Sequence, residues 1–170
     1  MFSFNINRKI DSALKKNDRE RIFHRFDSMK RVLIFFALED WNKIRNITQD
    51  LESRGKKVLL WTIQYKQKEE SQIIFPGNVR VISHKEISVL WGLSSSIVKE
   101  FKNTACDTII DLTDGSDKWL LYLLASNRAN FCIGINEPKY KVYDFVVLRG
   151  EESGLPETYQ QIKFYLNNIR

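Results

Sequence analysis

The chain has 170 residues, of which 43% are hydrophobic and 28% charged, enough for one domain with a real core and ordinary for a globular protein. Its longest apolar runs, residues 32–38 and 119–125, are far short of the roughly 20 residues that span a bilayer, and the first residues carry no apolar export signal. A cytoplasmic protein without membrane insertion is the expectation. The net charge of +6 is concentrated at the start. Residues 1–31 hold nine Lys or Arg against four acids, whereas the rest of the chain holds 18 against 17.

In chain order, residues 5–26 contain no Pro or Gly and read as a basic helix. Its middle, residues 15–20, is wholly polar, so the helix is expected either in two short pieces or docked only at its ends. Residues 31–38 form a continuous β-branched and aromatic run, the pattern of a strand buried on both faces. An amphipathic helix over 40–54 follows, with Trp41, Ile44, Ile47, Thr48 and Leu51 on one face. Gly55 closes it, and residues 57–63 form a second apolar strand. This is a βαβ unit, right-handed by the usual chirality of such crossovers.

The polar stretch 64–78 ends in Pro76-Gly77, a turn signal. A short strand is expected over 79–82, and a loop over 83–93 that buries Trp91. The serines at 94–96 are N-cap candidates for a helix reaching about residue 103. Residues 107–113 read as a strand, 117–129 as a very apolar helix, 130–135 as a strand and 143–148 as another. Only seven residues separate these last two strands, too few for a helical crossover. The final strand should therefore pair antiparallel or lie at an edge reached by a bare loop. A closing helix starts at Gly154-Leu155-Pro156, with Leu155, Tyr159, Ile162, Leu166 and Ile169 as an apolar stripe. Either this stripe and the first helix both pack on the sheet, or one of them supplies a two-fold interface.

These elements imply an α/β, three-layer Rossmann-like fold with a mainly parallel five- or six-stranded sheet and a basic N-terminal helix. Residues 1–30 are read as a helical extension and 31–170 as a single domain. Ligands of such sheets bind beyond the C-terminal strand ends. There, Glu39 and Asp40 follow the first strand, while Asp111, Asp114, Ser116 and Asp117 lie in or after the fourth. If the two strands are neighbours, these groups converge into a ligand site. Asp40 and Asp114 also stand where helices begin and suit capping, and Asp111, inside an apolar strand, needs a partner. Tyr65, Lys66 and Lys68 could face the same crevice.

The chain has no glycine-rich phosphate loop and no nucleophile elbow. His24 and His84 are isolated, so no metal or cofactor is expected. Cys106 and Cys132 read as small buried hydrophobes, with a bridge between neighbouring strands as the alternative. All four tryptophans read as core residues. The basic leader offers Arg8, Lys15, Lys16 and Arg19 as a candidate anion-binding face, giving at most weak, non-specific nucleic-acid binding. Asp11, Asp18 and Glu20 are expected to pair with neighbouring cations and soften that field.

Two resemblances extend this reading. The whole chain resembles an uncharacterised family of small bacterial proteins of the Bacteroides type, on its basic first helix, the VLIFF strand, the D-x-I-I-D-L strand, the segment 126–134, Tyr143-Asp144 and the closing QIKFYLNNI. That resemblance implies no activity. Residues 30–135 are similar to the N-terminal half of heptosyltransferase-like glycosyltransferases of GT-B fold. The matching positions are 107–112 and 129–134, and Glu39-Asp40 stands where that family has Gly-Asp. This resemblance implies the fold, and a sugar or nucleotide derivative as substrate. The reading is a binding or scaffold domain for a small molecule or protein, with a small or degenerate enzyme acting on a nucleotide or sugar derivative as the alternative.

Overall fold

The structure, a computed structural model, describes residues 2–65 and 73–169. Helix α1 (Phe2–Lys16) is followed by β1 (Arg31–Phe35), α2 (Trp41–Ser53), β2 (Lys57–Gln64) and β3 (Val79–Ser83). A small antiparallel hairpin, β4 (Ile87–Ser88) with β5 (Gly92–Leu93), leads into α3 (Ser95–Asn103). The chain then runs β6 (Thr108–Asp111), α4 (Lys118–Ala125), β7 (Phe131–Gly134), β8 (Phe145–Val146) and α5 (Leu155–Asn168). The main sheet is ordered β3-β2-β1-β6-β7-β8, and every pairing in it is parallel. Three strands run outward from β1 and three from β6 in the opposite direction, which is the Rossmann order with its switch point between β1 and β6.

A parallel sheet needs both faces covered, and alternate strand residues serve the two layers. Val32, Ile34, Val58, Leu60 and Ile110 pack with residues of α2 and α5. Leu33, Phe35, Trp61, Ile109 and Cys132 pack with residues of α1, α3 and α4. Within α5, Leu155, Tyr159, Ile162 and Leu166 of the apolar stripe are buried, whereas Ile169 is exposed. Cys106 and Cys132 are both free thiols. Gly55 takes a left-handed φ of 78° after α2, where a side chain would be strained.

The leader serves both layers. Ile6 and Ile10 enter one core, and Phe26 and Met29 the other. The expected helix over 5–26 stops at Lys16, because the next side chains bond to backbone across the N-terminal edge of the sheet instead. Asn17 Nδ2 donates to the carbonyls of Ala125 and Asn127, both at 2.9 Å. Arg19 donates to the carbonyls of Ala129 and Asn130 and holds Asp144 with two bonds of 2.8 Å. The buried Lys56 ammonium then fixes the next turn, donating to the carbonyls of Phe26 and Met29 at 2.8 and 2.9 Å. Arg21 also reaches Asp144, at 2.9 Å, rather than a neighbouring acid of the leader.

Of the two placements expected for the last strand, the structure takes the second: β8 lies at the sheet edge, reached without a helix, and pairs parallel to β7. The cause is Asp144: its backbone N–H donates to Cys132 O and its carboxylate accepts from Cys132 N, which returns the loop to the start of β7. Two other expectations change, the end of α4 and the place of Trp91. Helix α4 ends at Ala125 rather than 129, because Asn127 folds back to bond Leu124 O and Ala129 N. Trp91 is 75% exposed at the hairpin tip. The space beside Gly92 belongs to Trp119, whose ring would lie 1.9 Å from a Cβ there.

Two side-chain clasps carry testable consequences. The Arg19 and Asp144 side chains are only 4% and 11% exposed, whereas Arg21 is 58% exposed. Removing one partner of a buried pair costs about 3–5 kcal/mol. With Arg21 still present, Arg19→Ala is expected to lose about 3 kcal/mol in urea unfolding and Arg21→Ala less than about 1. Equal losses would refute the buried clasp.

The second clasp is Asp50 of α2, which accepts from Tyr159 Oη and Lys163 Nζ of α5 and from Arg54 Nε. Burial alone would raise its pKa, but these bonds hold it at about 2. A depressed carboxylate stabilises the fold above its unfolded value and loses that contribution as pH falls through the folded value. Asp50→Asn should therefore cost about 1–2 kcal/mol at pH 7, discounted for partial exposure. The gap from the parent protein should narrow between about pH 4 and pH 2. Urea midpoints at pH 7, 4 and 2.5 measure this.

Candidate functional site

At the switch point β1 and β6 are neighbours, with Phe35 opposite Asp111, so the expected acids do gather at one edge. Asp111 is fully buried, 1% exposed. It accepts from Thr113 N at 3.0 Å, Thr113 Oγ1 at 2.6 Å and the Tyr143 hydroxyl. Burial raises its pKa against the pull of those bonds, and burial likewise raises that of the Tyr143 phenol. The phenol ring lies over Gly134, the β7 partner of Asp111. Asp111 is thus closed over by a tyrosine 32 positions along the chain, and its carboxylate is engaged within the fold.

The other acids at this edge also have internal bonds. Asp114 Oδ1 accepts from Ser116 N at 2.9 Å and Ser116 Oγ at 2.6 Å, which lowers its pKa and makes it a poor proton acceptor. This closes a turn before α4, with Gly115 at φ 75°. The helix cap itself is Asp117, which accepts from Trp119 N and Leu120 N. Asp117 also accepts from Tyr65 Oη at 2.6 Å. Asp40 occupies the N-cap position of α2 without a side-chain cap bond and pairs with Lys43 at 3.9 Å. Glu39 is exposed in the short turn before α2. Lys66 and Lys68 lie outside the described residues. Burial pushes the Cys106 thiol up to about 12 and the Cys132 thiol well above its usual value, so both stay protonated.

A second candidate site opens at the opposite, N-terminal edge, where α1, α3 and α4 end. It is a groove of about 660 Å³. Arg8 and Lys16 of α1, Lys102 in the last turn of α3 and Arg128 beyond α4 line it, with Asp18 as its one lining carboxylate among the described residues. Its wall includes Ser12, Tyr122 and Ser126. Lys9 also lines it, but its ammonium donates to Trp91 O. Each helix C-terminus carries about half a negative charge, which favours Lys16 and Lys102 where they stand. Three such ends and the one carboxylate among the described residues do not cancel the cationic heads of Lys16, Lys102 and Arg128, so the groove keeps a positive field.

Of the anion-face candidates from the sequence, Arg8 and Lys16 line this groove. Arg19 borders it, but its guanidinium is committed to Asp144. Lys15 does not line the groove but lines, with Asp11, an adjoining hollow that shares Arg8, Ser12 and Lys16 with it. Lys102 and Arg128 were missed in the sequence, where each is an ordinary cation at a helix end. Their local signal is their position, Lys102 in the last turn of a helix pattern and Arg128 just after one.

The chain belongs to a family of unknown function (DUF6913), whose model matches residues 3–169. No curated protein matches it. Among solved structures it is similar to the glycosyltransferase SnogD from Streptomyces nogalater, at 14% identity and a TM-score of 0.32. That similarity covers 83% of this chain and 40% of the glycosyltransferase, so the chain spans less than half of that protein's length.

The Asp111 cluster yields a stability test. A Cβ on Gly134 would lie 2.5 Å from the Tyr143 ring, so Gly134→Ala must displace that ring and break its bond to Asp111. The expected loss is about 2–3 kcal/mol. Tyr143→Phe, which removes only the hydroxyl, should cost about 1–2. Because both changes break the same bond, the double variant should lose less than the sum. Additive losses in urea unfolding would show that Gly134 and Tyr143 act independently.

Proposed function

We propose that this chain is a non-catalytic binding domain whose ligand is an anion held in the groove between α1, α3 and α4. The observation that carries this reading is the convergence of Lys16, Lys102 and Arg128, from three separate elements, on one groove with a single lining carboxylate among the described residues. Like charges brought together repel, and an anionic ligand offsets that repulsion. The groove volume, about 660 Å³, lies in the range of small-ligand sites.

The second reading is an enzyme acting on a nucleotide or sugar derivative at the β1–β6 crevice. The sheet order favours it, since ligands of such sheets bind at the switch point. Against it stands the state of the acids there. Asp111, Asp114 and Asp117 all accept hydrogen bonds from neighbouring groups of the fold, and carboxylates repel phosphate.

Thermal unfolding with sodium tripolyphosphate, at ionic strength matched with sodium chloride, separates the two. Binding at a hundredfold excess over Kd stabilises by about 2.7 kcal/mol, a rise in Tm of roughly 5–10 °C for a domain of this size. That rise is expected in the parent protein and in Glu39→Gln, and should vanish in the double variant Lys102→Glu/Arg128→Glu. A rise that survives in the double variant and grows in Glu39→Gln, where a carboxylate that repels phosphate is gone, would move the site to the crevice.

A further inference from the structure

Resting on the anion-binding reading, we infer that the ligand is a compact molecule bearing two or more phosphate groups, not a polymeric polyanion lying along α1. The first argument is the shape of the charge. The cationic heads do not form a stripe. Lys16 comes from the end of α1, Lys102 from the end of α3 and Arg128 from the turn after α4, and they surround one groove. A ring of cations drawn from three elements matches several negative charges on a small body. A duplex backbone instead spreads its charge along an extended line.

The second argument is the wall. Ser126, 8% exposed, lines the groove, as do Ser12 and Tyr122. Among the described residues, none of these three hydroxyls has a hydrogen-bond partner. Hydroxyls beside cationic heads are what phosphate oxygens accept from. The amides nearby are already used: Asn17 and Asn127 bond to the backbone.

The third argument is the outer face of α1. Lys15 and Asp11 line an adjoining hollow of about 380 Å³ that shares Arg8, Ser12 and Lys16 with the groove, but neither of the two lines the groove itself. A polymer running along α1 would meet Lys15 and Asp11. A compact ligand held between Lys16, Lys102 and Arg128 would not touch them.

The experiment is calorimetric titration of the full chain with three probes at equal ionic strength: tripolyphosphate, orthophosphate and a 20-base-pair DNA duplex. Tripolyphosphate is expected to bind at least tenfold more tightly than orthophosphate, and more tightly than the duplex. Lys16→Glu, Lys102→Glu and Arg128→Glu should each weaken it about five- to tenfold, as reversing one charge near a multivalent anion does at the protein surface. Lys15→Glu should change it less than about twofold. Thermal unfolding of each variant without ligand checks that the fold is kept. Tightest binding by the duplex, with Lys15→Glu as damaging as Lys16→Glu, would overturn the compact-ligand inference while leaving an anion site. Failure of all three probes to bind would overturn the anion-binding reading itself.

Discussion

A parallel sheet buried on both faces governs how this chain is arranged. β1 has a neighbour on each side and, after Arg31, buried side chains on both faces. It therefore needs a helical layer above and below. The two layers are not built from crossovers alone, because the connection from β7 to β8 brings no helix. Part of the cover comes from the leader. Ile6 and Ile10 extend one core, and Phe26 and Met29 extend the other. A segment that serves both faces must cross the sheet edge, where it meets unpaired carbonyls at the ends of α4 and at the start of β7. Asn17, Arg19 and Lys56 satisfy those groups and those of the leader's own turn. The Arg19–Asp144 pair belongs to this crossing, since Asp144 also bonds Cys132 N and so starts β8 beside β7.

This explains which parts of the fold could be read in the sequence. The central strands were legible because strands covered on both faces must be continuous apolar runs. The gathering of Glu39, Asp40, Asp111 and Asp114 at one edge followed once β1 and β6 were neighbours. Asp111 was legible as a buried carboxylate in need of a partner, but not the partner. Tyr143 reaches it only because Gly134 lacks the Cβ that would exclude the ring, and no local pattern links those three positions. The end of α1 at Lys16 was legible only as a polar interruption. What makes it an end is Asn17 reaching carbonyls more than a hundred residues away. Lys102 and Arg128 were illegible for the same reason: their meeting with Lys16 depends on the leader folding back. Trp91 misled because aromatic residues are usually buried, and here Trp119 takes the space beside Gly92.

The two edges of the sheet differ in how their charges are used. A helix that links parallel strands runs from their C-terminal edge to their N-terminal edge, so its positive end meets the crevice and its negative end the groove. Acids near the crevice and cations near the groove are therefore each favoured by the helix dipoles, typically by about 0.3–1 kcal/mol. That local preference accounts for Asp114, Asp117, Lys16 and Lys102 individually. It does not account for the surplus at the groove. Arg128 lies beyond the last turn of α4, where the dipole contribution has fallen off. Yet it lines the same groove as Lys16 and Lys102. Of the crevice acids, Asp111, Asp114 and Asp117 are held by a tyrosine, a turn and a cap, all of which stabilise the fold without a ligand. Cations that exceed what the helix ends can balance repel one another in the folded protein. Such an arrangement raises the free energy of the empty site and increases the gain when an anion enters, and on this physical ground the groove, not the crevice, is the better candidate for binding.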